Sequence, residues 1–192
     1  ASLAVAVPSA VQVFAWIGTL WKGRPRLRLP MLHILGFFAT FVIGGLTGVM
    51  VAIVPFDWQV HDTAFVTAHL HYVLFGGFVF PLLAALYYWL PLASGRRRYF
   101  RLGEVAFALI FGGFHLTFLA MHVVGLMGQR RRISTYAPED GWTAINLVSS
   151  VGGFVLAFAL AMVLLEVVLQ VRARRRAPRN PWSAGTLEWA MA

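Results

Sequence analysis

Five long apolar stretches constrain the fold of this chain more than any other feature of its sequence. They run approximately over residues 1–21, 33–54, 65–91, 103–127 and 147–171. Each holds about 20 residues or more, which is enough for an α-helix to cross a hydrocarbon core of about 30 Å. With 59% hydrophobic and 12% charged residues, the chain also has the composition of a membrane protein. The predicted fold is therefore all-α, a polytopic membrane helix bundle of about five transmembrane helices.

The net charge of +9 reflects basic loops and does not indicate a nucleic-acid partner. Most of the sixteen lysines and arginines follow the first, third and fifth spans, so alternating spans place them on one side of the membrane. The positive-inside rule makes that side cytoplasmic. We expect one membrane domain over residues 1–192, surrounded by lipid, with a basic cytoplasmic tail over residues 172–192. The basic residues of that side are Lys22, Arg24, Arg26, Arg28, Arg96, Arg97, Arg98, Arg101, Arg172, Arg174, Arg175, Arg176 and Arg179.

The triplet His69-Leu70-His71 lies inside the third apolar stretch. On an α-helix, residues i and i+2 point about 200° apart, so one metal can hardly bind both imidazoles. Two planar metal cofactors, one on each side of the helix, could each take one histidine as an axial ligand. The alternative is a pair of buried histidines that form hydrogen bonds with neighbouring helices.

The sequence around this triplet has a long and specific family resemblance. The segment from His61 to Pro91 reads HDTAFVTAHLHYVLFGGFVFPLLAALYYWLP, and it closely resembles the tenth transmembrane helix of subunit I of heme-copper cytochrome c oxidases. The similarity extends over VPSAVQVFAWIGTL, FVIGGLTGVMVA, FHLTFLAMHVVGLMGQRRRISTY and NPWSAGTLEW, and so covers essentially the whole chain. The resemblance implies that this chain corresponds to the carboxy-terminal part of that subunit, about helices VIII to XII.

The resemblance assigns heme-binding roles to four residues. His69 matches the axial ligand of the high-spin heme at the oxygen-reducing site, and His71 matches one axial ligand of the low-spin heme. Arg131 and Arg132 match a pair of arginines that bind the heme propionates, although arginines on the outer side could instead bind lipid phosphate. The implied cofactors are two hemes of the a type, copper and magnesium. The copper ligands, with the second axial histidine, are expected upstream of this chain.

His61 and Asp62 match the magnesium site of the family, and Asp57 matches a carboxylate near the propionates. Without the resemblance, a His-Asp pair at a membrane boundary is more often an ordinary helix cap or a hydrogen-bonded pair, and Asp62 before Thr63 could cap the helix. A magnesium ion needs further oxygen ligands, so we expect donors from another chain, subunit II in the family.

The first span departs from the family pattern. Ser9 and Gln12 occupy positions where common members carry a threonine and a lysine that conduct protons. Glutamine cannot titrate, so the usual lysine route is in doubt. Two further carboxylates, Glu104 and Glu166, are candidates for proton transfer, but both lie near a span end, so we expect them to be solvated or interfacial.

The resemblance implies part of the catalytic subunit of a terminal respiratory oxidase in a bacterial inner membrane. Such an enzyme is an oxidoreductase that reduces dioxygen to water with electrons from cytochrome c and translocates protons. The expected partners are the N-terminal part of subunit I, subunits II and III, and cytochrome c. Two alternatives stay open: a nitric oxide reductase-like enzyme, which the missing lysine favours, and a non-enzymatic heme-binding scaffold.

Overall fold

The computed structural model describes residues 2–96 and 101–190, and one long helical segment corresponds to each of the five apolar stretches. A π-helical turn at Phe75–Val79 joins two of the helices, and a 3-10 turn covers Pro138–Asp140. Arg97 and Arg98 of the basic side, and residues 191–192 of the tail, lie outside the described residues. The helices are α1 (Ser2–Trp21), α2 (Leu29–Ala52), α3 (Val54–Val60), α4 (Ala64–Leu74), α5 (Phe80–Ser94), α6 (Arg101–Leu126), α7 (Thr143–Val171) and α8 (Leu187–Ala190).

The five membrane spans correspond to α1, α2, α4 with α5, α6, and α7. The prediction of an all-α membrane bundle with five spans is confirmed, and no strand occurs in residues 2–96 and 101–190. Both α2 and α7 begin four residues before the apolar stretches do. In α2 the reason is Pro30 in the first turn, where its fixed φ favours the helix and its missing N–H costs no hydrogen bond.

α4 is the central element, because it packs against α2 on one side and α6 on the other. Glycines permit both contacts. A Cβ on Gly44 would lie 3.1 Å from the backbone of Tyr72, and one on Gly125 would overlap the backbone of Phe65. Small residues let membrane helices approach until their backbones touch. The sequence therefore brings α4 unusually close to both neighbours.

The π-helical turn carries the third span past a proline. Pro81 has no N–H to continue the α-helical ladder, and in membrane helices a local π-helical adjustment is one way to satisfy the backbone groups that a proline frees. Within the turn, Gly76 faces Thr40 of α2 so closely that a Cβ would come 2.6 Å from its hydroxyl oxygen. The turn thus lets α5 continue the span, with α4 and α5 both packed against α2.

The loops meet at the two ends of the bundle. At the basic end, the N–H of Ala177 donates to the carbonyl of Gly95, and the Arg28 guanidinium donates to the carbonyl of Pro181. At the other end, the N–H of Ala64 donates to the carbonyl of Gln129. The α6–α7 loop is therefore attached to the start of α4.

A Gly152→Ala substitution should separate α6 from α7. The new Cβ would lie 2.6 Å from the backbone nitrogen of Thr117, and such overpacking costs about 1–3 kcal/mol of unfolding free energy. A detergent titration followed by far-UV circular dichroism measures this loss. The matched control is Gly153→Ala, because nothing lies within 4 Å of a Cβ there. Equal stability of the two variants would contradict the packing argument.

Candidate metal centre

His69 and His71 lie on opposite sides of α4. His69 faces α2, where its ring contacts Gly44, Thr47 and Gly48. His71 faces the other way and stacks on Phe118 of α6, with ring centroids 4.3 Å apart and 17° between the planes. The two imidazoles are thus available to two different ligands and not to one.

The hydrogen bonds of His69 leave one ring nitrogen free to bind a metal. Its Nδ1 lies 3.1 Å from the carbonyl oxygen of Gly44 and 3.1 Å from the hydroxyl oxygen of Thr47. A carbonyl oxygen can only accept, so Nδ1 carries the proton and Nε2 keeps its lone pair. Metal-bound histidines usually donate their second N–H in this way, which fixes the tautomer and the ring orientation.

Gly48 limits the space beside the His69 ring. A Cβ at this position would lie only 2.8 Å from Cε1 of His69. Gly44, Thr47 and Gly48 follow the spacing i, i+3 and i+4, so they form one face of α2. Sequence reasoning missed this supporting face, although its helical spacing was a readable signal.

His71 is distinguished by its exposure. Its Nδ1 lies 2.8 Å from the carbonyl oxygen of Thr67, but His33, His115 and His122 make the same bond to the residue four before them. Of these four, His71 alone is exposed within its span, whereas His33 and His122 are buried. An imidazole exposed at membrane depth is costly without a partner. The free Nε2 on this face fits axial ligation of a planar cofactor.

A polar cavity of about 530 Å³ lies at the N-terminal end of α4. Arg131 forms an ion pair with Asp62, and the N–H of Arg131 donates to the carbonyl of Asp62. The first turns of α4 separate this cavity from His69 and His71 by about 8–10 Å along the axis. Its lining residues are His61, Asp62, Arg130, Arg131 and Arg132.

The donors for a magnesium ion are incomplete in this part of the chain. Nδ1 of His61 lies 3.4 Å from an oxygen of Asp57, and its Nε2 lies 3.8 Å from an oxygen of Asp62. Across residues 2–96 and 101–190, no three histidines or carboxylates are placed to hold one metal. A hard cation here would fit only with oxygen ligands from elsewhere. The ion pair with Arg131 also occupies the Asp62 carboxylate, so Arg131 competes with a cation for it.

The residues of the suspected proton route stand apart from this centre. Ser9 donates its hydroxyl to the carbonyl of Val5 in its own helix, and Gln12 is exposed. α1 packs on α2 through Trp16, whose ring contacts Phe37. The structure therefore does not bring Ser9 or Gln12 to His69.

One expectation about the carboxylates was wrong. Glu104 is exposed as expected, but Glu166 has 0% exposure and lies within electrostatic reach of Tyr87. The packing of α7 against α5 and α6 covers Glu166 despite its position near a span end. The distance of a residue from the end of its span does not show whether its side chain faces a neighbouring helix.

The sequence matches the family model described as "Cytochrome C and Quinol oxidase polypeptide I" over residues 1–155. The chain belongs to this family. Family membership and the five apolar helices make it an integral membrane protein, and the family implies heme and copper as cofactors. The suspected resemblance is confirmed, whereas the roles of individual site residues stay predictions.

Several relatives align with this chain over its full length. Cytochrome c oxidase subunit 1 of Synechocystis is 47% identical over 191 residues, 100% of this chain and 34% of the relative. That of Bacillus sp. PS3 is 44% identical over 193 residues, 100% of this chain and 31% of the relative. The chain thus spans about a third of the length of these relatives.

The fold also matches a solved oxidase. A cryo-EM structure of a heme-copper terminal oxidase dimer superposes with a TM-score of 0.76 and 24% sequence identity. The match covers 92% of this chain and 36% of that chain. At this identity the likeness establishes the shared arrangement of helices.

An Asp62→Asn substitution should loosen the α6–α7 loop without straining the backbone. Asp62 has φ 58°, a left-handed conformation that asparagine also tolerates, so the main loss is the ion pair with Arg131. A partly exposed pair contributes up to about 1 kcal/mol, which corresponds to roughly fivefold faster local opening. Deuterium uptake by the peptide containing residues 129–131 measures the rate of this local opening. Glu139→Gln, on the exposed turn of the same loop, is the control. Unchanged uptake in Asp62→Asn would show that the ion pair does not hold the loop.

Proposed function

We propose that this chain is the heme-binding, carboxy-terminal part of the catalytic subunit of a cytochrome c oxidase. In the complete complex, the enzyme would reduce dioxygen to water with electrons from cytochrome c and couple this reaction to proton translocation. The bound cofactors would be two a-type hemes, copper held by upstream residues, and magnesium. When bound, the hemes supply electron transfer and the open iron position for oxygen.

One observation carries this proposal: two histidines on one helix present free Nε2 atoms to opposite sides. His69 would hold the high-spin heme and His71 the low-spin heme. Thr47 and the carbonyl of Gly44 would orient the His69 ring, since they accept the N–H of its other nitrogen. Phe118 would hold the plane of the His71 ring by stacking.

The charged residues at the outer end of α4 would bind the propionate edge of the hemes. Arg131 and Arg132 would bind propionates, because a guanidinium stays charged and pairs with two carboxylate oxygens at once. Asp62 already accepts from Arg131, so this carboxylate would fix the arginine in place. His61 and Asp62 would contribute donors to a magnesium ion completed by subunit II, with Asp57 beside them.

The first span would contribute to proton movement only in an altered form. Ser9 keeps a hydroxyl and Gln12 can orient water, but neither can carry a proton as a charged lysine would. Helices that precede this chain in the complete subunit would have to cover their exposed face. Proton uptake would therefore use a route that does not depend on titration at position 12.

The basic end of the bundle would face the cytoplasm. The described arginines of that end lie after α1, α5 and α7, and the positive-inside rule assigns this side. The chain would thus lie in a bacterial inner membrane with its C-terminus in the cytoplasm. The N-terminal part of subunit I, subunits II and III, and cytochrome c would be its partners.

The decisive test is a reduced-minus-oxidised optical spectrum, with and without carbon monoxide, on the purified complex. His69→Ala should remove the heme signal that carbon monoxide shifts and leave the low-spin signal, because only the axial ligand of the open heme is lost. His71→Ala should do the reverse. If both variants keep both signals, the ligand assignment is wrong.

Turnover measurements on the unsubstituted complex separate the remaining alternatives. Reduction of dioxygen with cytochrome c as donor supports the oxidase. Reduction of nitric oxide in its place would favour the nitric oxide reductase-like enzyme, which the absence of a lysine at position 12 motivates. A complex that binds heme but reduces neither gas, or that binds no heme, would favour the non-enzymatic scaffold.

Gly48→Ala should disturb the His69 ring without removing a ligand. Its Cβ would lie 2.8 Å from Cε1 of His69, so the ring must move. Disturbance of groups that orient a metal ligand costs about 10- to 100-fold in metal affinity or activity. Oxygen consumption and the carbon monoxide-shifted signal measure the effect. Gly45→Ala, on the same helix with nothing within 4 Å of the new Cβ, should behave as the unsubstituted protein. A silent Gly48→Ala variant would refute the proposed support.

A further inference from the structure

A second cavity lies at the end of the bundle opposite the candidate metal centre. It has a volume of about 710 Å³, within the range of about 300–1000 Å³ that is typical of ligand pockets. It opens between the start of α2 and the side of α5, and the segment around Trp182 in the C-terminal tail forms one wall. None of the functions proposed above uses this cavity, which we call the basic-end pocket.

The rim of the basic-end pocket is strongly cationic. Arg24, Arg26 and Arg28 line it, and no acidic side chain is among the described residues around it. The Arg28 guanidinium donates to the carbonyl of Pro181 at 2.9 Å and lies 5.9 Å from the centre of the Trp182 ring. One of the three cations is therefore held in place, and the rim attracts an anion.

The tail wall is fixed by aromatic contacts. The indole N–H of Trp182 donates to the carbonyl of Tyr88 at 2.8 Å, and the two rings stack with 14° between their planes. Tryptophan and tyrosine are favoured where membrane meets water, since each has an apolar body and a polar group. The mouth of the pocket thus lies at the membrane boundary.

The interior of the basic-end pocket is apolar and lined by small residues of α5. Pro81, Ala84 and Ala85 project little side chain into it, and Met31 and Ile34 of α2 form the facing wall. From Tyr88 to Pro81 the helix rises about 10 Å toward the middle of the membrane. The pocket therefore continues as an apolar slot beneath a cationic rim.

We propose that the basic-end pocket binds one anionic phospholipid from the surrounding leaflet. The phosphate group lies among Arg24, Arg26 and Arg28, and an acyl chain follows Ala85, Ala84 and Pro81 into the membrane. Inorganic phosphate would use the rim alone and leave the apolar slot without a partner. A zwitterionic lipid would gain less from three arginines with no neighbouring carboxylate. The inference does not depend on the proposed oxidase activity.

Photo-crosslinking on the complete complex tests this proposal. The purified complex is placed in bilayers of equal parts phosphatidylcholine and phosphatidylglycerol, with a phosphatidylglycerol analogue that carries a photoreactive group on its acyl chain. Mass spectrometry of the peptides then locates the label. The expected label falls on the pocket segments of α2 and α5, at residues such as Met31 and Ala85.

Matched substitutions separate the charge of the rim from the shape of the slot. Arg24→Gln with Arg26→Gln should reduce labelling roughly 30-fold, because each basic residue near an anionic leaflet contributes about a factor of five. Arg174→Gln with Arg175→Gln removes the same charge from exposed positions outside the pocket and should leave labelling unchanged. Ala85→Phe should block labelling by filling the slot while all three arginines remain. The yield of purified complex and its circular dichroism spectrum show whether each variant folds.

Four results would overturn the proposal. A phosphatidylcholine analogue could label the pocket equally, which would remove the role of charge. Excess inorganic phosphate could abolish labelling, which would identify a simple anion site. Labelling could persist at full strength in the Arg24 and Arg26 double variant. A protein segment could cross-link to these residues in place of lipid, which would identify a subunit contact.

Discussion

The close approach of α4 to both of its neighbours is the contact on which the candidate centre depends. In a membrane, helices associate through packing and not through burial of apolar surface, so small residues decide how near they come. Gly44 and Gly125 let α2 and α6 touch the backbone of α4 from opposite sides. This position puts the carbonyl of Gly44 within reach of His69 and the ring of Phe118 against His71. The same contacts that hold the helix also orient its two histidines.

The third span packs against α2 along its whole length, but its two halves have different surroundings. Its first half carries His69 and His71, while its second half carries Pro81 and borders the basic-end pocket. The π-helical turn between them changes the register of side chains without ending the span. One continuous membrane crossing therefore presents histidines at one end and small residues at the other.

Local pattern was sufficient to predict part of this arrangement. Five spans followed from hydropathy, and the opposite directions of His69 and His71 followed from helical periodicity, because both properties depend only on residues near in sequence. The burial of Glu166 and the ion pair between Arg131 and Asp62 depend on which helices meet. The supporting face of Gly44, Thr47 and Gly48 had a readable spacing, but its partner on α4 could be identified only from the fold.

The backbone pairing between the start of α4 and the α6–α7 loop has a mechanical consequence. The N–H of Ala64 and the N–H of Arg131 both donate across this junction, so the histidine helix and the arginine loop share main-chain hydrogen bonds. A displacement of α4 must carry the arginines with it or break those bonds. The histidines of α4 and the arginines of the loop, built on such a junction, keep their separation during motion. Their alignment is a property of the main chain, which side-chain rotation alone cannot change.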